Sequence, residues 1–207
     1  DVGSGSGLFS LAAMRLGAEK VYSFDYDEQS VACTSELKNR YFPNATNWII
    51  SQGSVLDKNY LNTLGQFNIV YSWGVLHHTG NMWQSFENIC QLVKPNGKLF
   101  IAIYNDQGKR SRYWKIIKRT YNSLPDGFKF LILIPIFVEL WGMTMVRDFF
   151  YFRPFFTWKK YEKNRGMSPW RDVVDWVGGW PFEVAKPEEI FNFFKERGSV
   201  LEKLKTC

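Results

Sequence analysis

DVGSGSG, at residues 1–7, places a glycine at every second position from Gly3 to Gly7. Glycine adopts positive φ without steric cost and lets a ligand approach the backbone closely. Apolar residues then follow at helical spacing until Gly17, namely Leu8, Phe9, Leu11, Ala12 and Leu16. A glycine turn that opens into a helix N-terminus is typical of a site for a nucleotide-like ligand, because the first N–H groups of the helix lack partners within it.

The spacing of the glycines argues against two common nucleotide loops. A dinucleotide fingerprint that starts at Gly3 requires a further glycine at position 8, where the chain has Leu8. A Walker loop requires Gly-Lys followed by Ser or Thr, which is also missing. From this stretch alone, a purely structural glycine turn stays open as the alternative.

Strand-like and helix-like patterns alternate regularly from residue 1 to residue 104. The predicted strands cover residues 21–24, 48–50, 67–71 and 98–104, and the predicted helices cover 29–40, 60–64 and 83–93. Pro95-Asn96-Gly97 predicts a turn before the last of these strands. Such alternation predicts an α/β fold with a parallel sheet and helices on both faces, whose ligands bind at the carboxyl ends of the strands.

Asp25 is the second strong signal, because it ends a short apolar run about twenty residues beyond the glycine turn. An acid at this position accepts hydrogen bonds from two ribose hydroxyls in nucleotide-binding α/β folds. Asp27 competes for that role. We assign Asp25 to the ribose and Asp27 to the N-cap of the helix that starts near Gln29.

Two more strand ends carry candidate contacts. After residues 48–50, the hydroxyl of Ser54 and the backbone of Val55 could bond an adenine ring, although a plain surface turn is nearly as good an interpretation. After residues 67–71, the chain reads Ser72-Trp73-Gly74-Val75-Leu76-His77-His78-Thr79. A neutral imidazole in that loop can accept a proton near pH 7.

These motifs, together with Lys94-Pro95-Asn96-Gly97, resemble class I S-adenosylmethionine-dependent methyltransferases. They are similar in particular to the methyltransferase type 11 group, which contains quinone-biosynthesis enzymes. The resemblance covers residues 1–104 well and extends loosely to the helix and strand at 188–204. It implies a Rossmann-like, mostly parallel sheet and S-adenosylmethionine as cofactor.

The resemblance also implies roles for individual residues. The implied cofactor-binding residues are Asp1, Gly3, Ser4, Gly5, Asp25, Tyr26, Ser54, Val55, Ser72 and Trp73. Many members of the family have Asp where Ser54 stands, so the contact to the adenine amino group departs from the usual pattern. His78 is the first candidate for a catalytic base and His77 the second, with packing of both residues as the alternative.

Positive charge is concentrated in residues 105–170, which carry 13 Lys/Arg against 5 Asp/Glu, a net charge of +8. The rest of the chain carries 13 basic and 15 acidic residues, a net charge of −2. Within this insert, residues 128–145 are strongly apolar and 149–158 are dense in aromatic residues. Three interpretations stay open: a buried helical cap, recognition of a lipid or quinone with peripheral membrane contact through 128–158, and a grip on RNA or another polyanion.

The sequence therefore predicts a core at 1–104, a helical lid at 105–180, and a C-terminal helix and strand at 181–207. The lid follows the strand at 98–104, which is the fifth strand of the fold when the first strand, ending at Asp1, is counted. Pro187-Glu188-Glu189 predicts the helix start, and residues 200–204 the strand. Because the chain begins on the residue that normally ends the first strand, we expect it to be truncated at both ends. The wide spacing of Cys33, Cys90 and Cys207 favours a reducing, cytoplasmic location, with peripheral membrane contact as an addition.

The predicted function is methyl transfer from S-adenosylmethionine to oxygen on a small or lipid-like acceptor. No metal is expected, because the histidine loop has no carboxylate cluster nearby. A nucleic-acid methyltransferase that grips through the insert is the first alternative. It is disfavoured because Ser72-Trp73-Gly74 lacks the Pro-Pro-aromatic sequence of enzymes that methylate base amines. The second alternative is a non-catalytic, cofactor-binding regulatory module. The oligomeric state is left open.

Overall fold

The computed structural model of the protein describes residues 1–206. The chain divides into two compact units. Unit 1 comprises Asp1–Asp106 and the chain from Glu183 onward, and unit 2 comprises Gln107–Phe182.

Four strands and nine helices of at least seven residues form the described part of the chain. The strands are β1 Val21–Asp25, β2 Trp48–Gln52, β3 Phe67–Trp73 and β4 Val93–Ala102. The helices are α1 Leu8–Arg15, α2 Glu28–Tyr41, α3 Lys58–Leu64, α4 Met82–Cys90, α5 Lys109–Ser123, α6 Phe130–Phe150, α7 Phe156–Arg165, α8 Pro169–Gly178 and α9 Pro187–Lys195. Helices α5 to α8 belong to unit 2 and the other helices belong to unit 1.

The sheet of unit 1 consists of two parallel pairs joined by the first two residues. β1 pairs with β2, and β3 pairs with β4. The backbone N–H of Phe24 donates to the Asp1 carbonyl at 3.1 Å, and the N–H of Val2 donates to the Tyr71 carbonyl at 2.8 Å. The order across the sheet is therefore β2, β1, residues 1–2, β3 and β4, which reverses beside Val2. This arrangement confirms the predicted α/β, Rossmann-like fold class, and such a reversal point is where ligands bind in sheets of this kind.

A large apolar core holds unit 1 together. Phe86 of α4 and Trp48 of β2 are fully buried, and Phe24 of β1 is 3% exposed. The main buried cluster contains Val2, Phe24, Val55, Leu61, Val70, Leu76, Met82, Phe86, Ile89, Leu92 and Ala185. Because Val2, Val55 and Leu76 belong to this cluster, the core fixes the loops at the strand ends from below.

The passage from α4 into β4 differs from prediction. α4 ends at Cys90 rather than near Val93, since Val93 already pairs with Phe67 as the first residue of β4. The predicted turn at Pro95-Asn96-Gly97 is an irregularity within β4, where the register shifts and Asn96 has φ +62°.

The predicted strand at 200–204 is wrong. Residues 199–206 have no regular structure, and Val200 is 87% exposed. Their apolar side chains fit a strand pattern, but an isolated segment gains little from extended structure unless a neighbouring strand pairs with it. In this region the structure records a side-chain ion pair between Glu202 and Lys98.

Unit 2 consists of helices, as the sequence predicted for the insert. Its interior contains aromatic pairs between helices: Phe137 of α6 contacts Trp158 of α7 and Trp170 of α8, with ring centroids 5.9 and 5.3 Å apart. Among the described residues, the segment Asp126–Phe150 is long and apolar enough to cross a membrane by length and composition. Only 17% of its apolar window is buried.

Candidate active site

The glycine turn has one open side. Gly3, Gly5 and Gly7 have φ values of +73°, +52° and +77°, which side chains disfavour. A Cβ atom at Gly3 would collide with Val75, and one at Gly7 would lie 2.9 Å from the Thr34 backbone. At Gly5, in contrast, no heavy atom lies within 4 Å of that position. Close packing therefore requires glycine at two positions, whereas the third leaves space for a ligand beside the backbone.

The carboxylate of Asp25 faces this turn from the end of β1. Its Oδ2 accepts a hydrogen bond from the Gly5 N–H at 2.8 Å, and its Oδ1 accepts one from the Asp27 N–H at 3.0 Å. The side chain is half-buried and held in one orientation by both bonds. A carboxylate has about four acceptor positions, so it can accept further hydrogen bonds from two hydroxyl groups.

Asp27 has a different task, since it is the N-cap of α2. Its side chain accepts hydrogen bonds from the Ser30 N–H at 2.9 Å and from the Ser30 hydroxyl at 2.8 Å. Hydrogen bonds from Ser30 lower the pKa of Asp27: the larger effect comes from the Ser30 hydroxyl and the smaller from the Ser30 N–H. The two acids therefore have different roles: Asp25 faces the glycine turn, and Asp27 caps the start of α2.

Asp1 and Ser4 support the turn from within. The Ser10 hydroxyl donates to the Asp1 carboxylate, the Ser23 hydroxyl donates to Ser10 at 2.7 Å, and the Trp48 indole donates to Ser23 at 2.9 Å. The hydroxyls of Ser4 and Thr34 lie 3.2 Å apart. Because both side chains are engaged inside the protein, their implied contribution to cofactor binding rests on backbone groups and stays a prediction.

The loop after β2 is anchored by α3 and α4. The carbonyl of Val55 accepts a hydrogen bond from the buried Asn88 side chain at 2.8 Å, and the Ser54 hydroxyl accepts one from the Leu56 N–H at 3.2 Å. Tyr60 also lies against this loop, beside Gly53. Its pKa is raised to about 12, mainly by burial. Val55 itself is buried, so it can supply an apolar surface beneath an adenine ring. Its contact with adenine remains a prediction.

The other implied cofactor residues lie on both faces of the sheet. The hydroxyl of Ser72 is buried and donates to the Val2 carbonyl at 3.1 Å, which ties β3 to the first residues. Trp73 is 53% exposed and stacks with Phe100, with ring centroids 5.9 Å apart. Tyr26 has an exposed side chain. Of these implied residues, Trp73 and Tyr26 are accessible to a ligand, whereas Ser72 is a structural link.

The histidine loop forms a short 3-10 turn at Leu76–His78. His77 is buried, and its ring centroid lies 4.0 Å from that of Tyr104. His78 is half-buried, with its ring centroid 4.4 Å from that of His77 and 5.6 Å from that of Tyr104. The structure therefore brings both predicted histidines together under one tyrosine, and His78 is the more accessible of the two.

Two residues that hold this loop were missed or left without a role by sequence reasoning. Tyr104 follows β4 and contacts both histidine rings. Glu183 donates its backbone N–H to the His77 carbonyl at 2.9 Å, and its side chain accepts a hydrogen bond from the Met82 N–H at 3.0 Å. Tyr104 could have been identified as the end of a predicted strand. Glu183 is 101 residues from Met82, and no local pattern connects them.

These features lie at the carboxyl ends of β1, β2 and β3, around the point where the strand order reverses. The open side of Gly5, the acceptor carboxylate of Asp25 and the apolar Val55 fit the sugar and base of an adenosyl group. The exposed ring of Trp73 belongs to the last residue of β3, and the loop with His78 follows that strand. The residues present therefore fit S-adenosylmethionine.

Comparison with known proteins shows similarity to methyltransferases. Residues 1–101 match the family model described as "Methyltransferase domain". The chain is 29% identical over 110 residues to the mitochondrial ubiquinone biosynthesis O-methyltransferase of Dictyostelium discoideum, a match that covers 51% of this chain and 34% of that protein. It is 32% identical over 108 residues to the ribosomal protein L11 methyltransferase of Prochlorococcus marinus (strain AS9601), which covers 52% of this chain and 35% of that protein. The chain thus spans about a third of the length of these curated relatives.

A solved structure supports the fold beyond the matched domain. PKMT2 from Rickettsia typhi, in complex with AdoHcy, superposes on 95% of this chain and 38% of that chain with a TM-score of 0.60 and 15% identity. At this identity the likeness concerns the fold alone. Residues 1–101, just under half of the chain, are thus similar to a methyltransferase domain, in agreement with the predicted class I methyltransferase resemblance and with S-adenosylmethionine as the cofactor.

Proposed function

We propose that the whole protein transfers a methyl group from S-adenosylmethionine to an oxygen atom of a small or lipid-like acceptor. The observation that carries the proposal is the carboxylate of Asp25, fixed 2.8 Å from the Gly5 N–H beside the open side of the glycine turn. A glycine turn beside an acidic acceptor at the point of strand reversal is the arrangement that binds the ribose of nucleotide cofactors in parallel sheets.

Three elements of the chain would hold the cofactor. Asp25 accepts hydrogen bonds from the ribose hydroxyls, the turn at Gly5 lies against the methionine portion, and Val55 supports the adenine ring. When bound, the cofactor supplies an electrophilic methyl group on a sulfonium; the methyl carbon bonds to the acceptor oxygen while the C–S electron pair stays on sulfur. Alignment of the acceptor with that methyl group is the main contribution the protein can make.

His78 is proposed to accept the proton that the acceptor hydroxyl loses. It is half-buried at the accessible side of the loop, whereas His77 is buried against Tyr104. Tyr104 and Glu183 are positioning residues in this proposal, because they contact the loop.

The acceptor class rests on two observations. The relative from Dictyostelium discoideum is named as an O-methyltransferase of ubiquinone biosynthesis, and the exposed rings of Trp73 and Phe100 offer an apolar surface. The relative from Prochlorococcus marinus is named for a ribosomal protein, so a protein acceptor is the alternative that the test must separate. A cytoplasmic location belongs to the same proposal.

The test uses the full-length protein. Calorimetric titration with S-adenosylhomocysteine measures cofactor-site binding, and methyl-labelled S-adenosylmethionine is then incubated with fractionated cell extract. We expect label in an ether of the lipid or small-molecule fraction. Label in protein or RNA would overturn the acceptor class, and binding without any turnover would identify a non-catalytic module.

A histidine pair sharpens the test. His78→Ala should lower turnover by roughly 10²–10⁴-fold, the usual contribution of a general base, while the affinity for S-adenosylhomocysteine stays unchanged. His77→Ala is the comparison, and its effect should be mainly a lower thermal stability because that ring is buried. Unchanged turnover in both His78→Ala and His77→Ala would assign both histidines to packing.

A further inference from the structure

Helix α6 of unit 2 presents an apolar face to solvent. Val138 is 60% exposed and Phe149 is 71% exposed. At about 100° per residue, positions 131, 134, 135, 138, 142, 145, 146 and 149 fall within about 60° of one line along the helix. The residues at these positions are Leu131, Ile134, Pro135, Val138, Gly142, Met145, Val146 and Phe149. None of them carries a charged or hydrogen-bonding side chain.

The opposite face of α6 is the packed one. Leu133 and Ile136 are buried, and Trp141 contacts Tyr161 of α7 with ring centroids 5.0 Å apart. Asp148 is buried on that side as well. The outward stripe is therefore an additional apolar surface, separate from the side by which the helix joins the interior of unit 2.

An exposed aromatic turn continues the stripe into α7. Its exposed residues are Phe149, Phe150, Tyr151, Phe152, Phe155 and Phe156. Phe152 is 93% exposed, and Phe152 and Phe155 both have positive φ, +53° and +61°. Below the turn, the two carboxylate oxygens of Asp148 accept hydrogen bonds from the Thr157 N–H and hydroxyl, each at 2.7 Å. This polar contact connects the two ends of the turn. We name the outward stripe of α6 together with residues 149–156 the apolar ridge.

The unit that carries the apolar ridge is strongly basic. Residues 107–182 contain 14 Lys/Arg and 6 Asp/Glu, a net charge of +8, whereas the remaining residues contain 12 and 14, a net charge of −2. Many of these cations are exposed on α5 and α7, namely Lys109, Arg110, Arg112, Lys115, Arg119, Lys159, Lys160 and Lys163. Exposed cations near the surface of an anionic bilayer each add to its attraction for a protein.

We infer that the apolar ridge is a membrane-docking surface that enters the interfacial region of an anionic bilayer. An apolar stripe, aromatic residues at its end and exposed basic residues on other helices of the same unit are the combination that binds lipid headgroups and the adjoining acyl chains. The helix is expected to lie in the plane of the membrane rather than to cross it. If α6 crossed the bilayer, it would lose its contacts with α7 and α8, and the buried Asp148 would be exposed to hydrocarbon.

Two other occupants fit less well. A second copy of the chain would bring two units of charge +8 together, which opposes association. RNA would satisfy the cations but would leave the uncharged stripe and the aromatic turn exposed. The inference does not depend on methyl transfer, because it concerns unit 2 and its readout is binding alone.

The test is flotation of the full-length protein with vesicles, compared between pure phosphatidylcholine and a mixture with phosphatidylglycerol. The variant is Val138→Glu with Phe149→Glu, two exposed positions whose change should leave the packed face intact. The matched control is Leu16→Glu, which adds a carboxylate at an 88% exposed leucine of unit 1. We expect binding to the mixed vesicles, a partition coefficient at least about tenfold lower for the double variant, and no change for the control.

Each contrary result overturns the inference. Equal binding by the double variant and the original protein would exclude the apolar ridge as the contact. Equal binding to both kinds of vesicle would exclude the attraction by anionic lipid. A lipid-free dimer that the double variant dissociates would identify a second copy as the occupant, and retention of the protein in membranes after alkaline extraction would identify a crossing helix.

Discussion

The most buried aromatic residues of unit 1 and the most exposed ones of unit 2 have opposite roles. In unit 1, Trp48 and Phe86 are fully buried and Phe24 is 3% exposed, beneath the loops that form the candidate site. In unit 2, Phe150 is 73% exposed and Phe152 is 93% exposed. Burial in unit 1 stabilises the fold and holds the site in place. The two exposed phenylalanines of unit 2 contribute little to stability and are available for an external contact.

The largest expected effect tests this contrast directly. Phe86→Ala should lower the free energy of unfolding of unit 1 by about 3–5 kcal/mol, because it leaves a cavity in a fully buried position. Phe149→Ala, at a 71% exposed position, should change stability by about 0.5 kcal/mol or less. Hydrogen exchange of the β1 and β3 amides, and of the α6 amides, measures the two units separately. Equal losses would remove the distinction between them.

The next effect concerns the two aspartates of unit 1. Asp25→Ala should weaken binding of S-adenosylhomocysteine by about 100-fold, since it removes charge-assisted hydrogen bonds to the ribose. Asp27→Ala is the matched control: it removes the cap of α2 and should leave the affinity within about twofold while it lowers stability by about 1 kcal/mol. Calorimetric titration, with thermal unfolding of each variant as a check on folding, separates the two. Full affinity in Asp25→Ala would reject the ribose assignment.

A pH effect of intermediate size is expected in unit 2. Lys118 has no exposed surface, and burial lowers its pKa from 10.5 to about 8. Between these values the unfolded chain binds more protons than the folded one. The free energy of unfolding should therefore rise, by about 1–3 kcal/mol, as the pH increases from 8 to 10.5.

The variant Lys118→Met isolates this effect. It should remove the rise, whereas Lys115→Met, at an exposed position of the same helix, should retain it. Denaturant unfolding at a series of pH values provides the measurement. A parallel pH dependence in all three proteins would show that Lys118 is hydrated and charged in the folded state.

The smallest effect should be the same in both units. Asp57 caps α3 through the Tyr60 N–H, and Ser168 caps α8 through the Arg171 N–H. Replacing either residue by alanine should lower local stability by about 1 kcal/mol, because a cap acts on its own helix end. Faster hydrogen exchange of the first-turn amides in α3 and α8 would report this. A much larger effect in one unit would mean that its caps also serve tertiary packing.

The parts of the fold that depend on local chemistry could be predicted from the sequence. The glycine turn needs positive φ, and Asp27 needs only the next turn of helix, so both have local signals. The end of α4 and the strand at 200–204 could not be placed, since apolar spacing does not reveal whether Val93 or Val200 finds a neighbouring strand. Whether a segment pairs as a strand depends on its neighbours in the sheet rather than on its own residues.

The candidate site shows the same limit. The sequence pointed to Asp25 and to the histidine loop. It did not point to the contact of Tyr104 with the histidines or to the two hydrogen bonds of Glu183, which follows unit 2 in the sequence. The apolar run in α6 was visible too. Whether it faced a core or solvent was decided by the packing of α7 and α8, which no pattern within the run encodes.

The run of side chains from Trp48 to Asp1 has a fixed direction. An indole N–H can only donate, so the hydroxyl of Ser23 must turn its own proton toward Ser10, and Ser10 must turn its proton toward the carboxylate. Aligned hydroxyl dipoles of this kind reinforce one another. Asp1 is thereby the final acceptor of a series of hydrogen bonds in which every donor points toward its carboxylate. A residue without a hydroxyl at position 10 would leave the Ser23 hydroxyl and the Asp1 carboxylate each short of one hydrogen-bond partner.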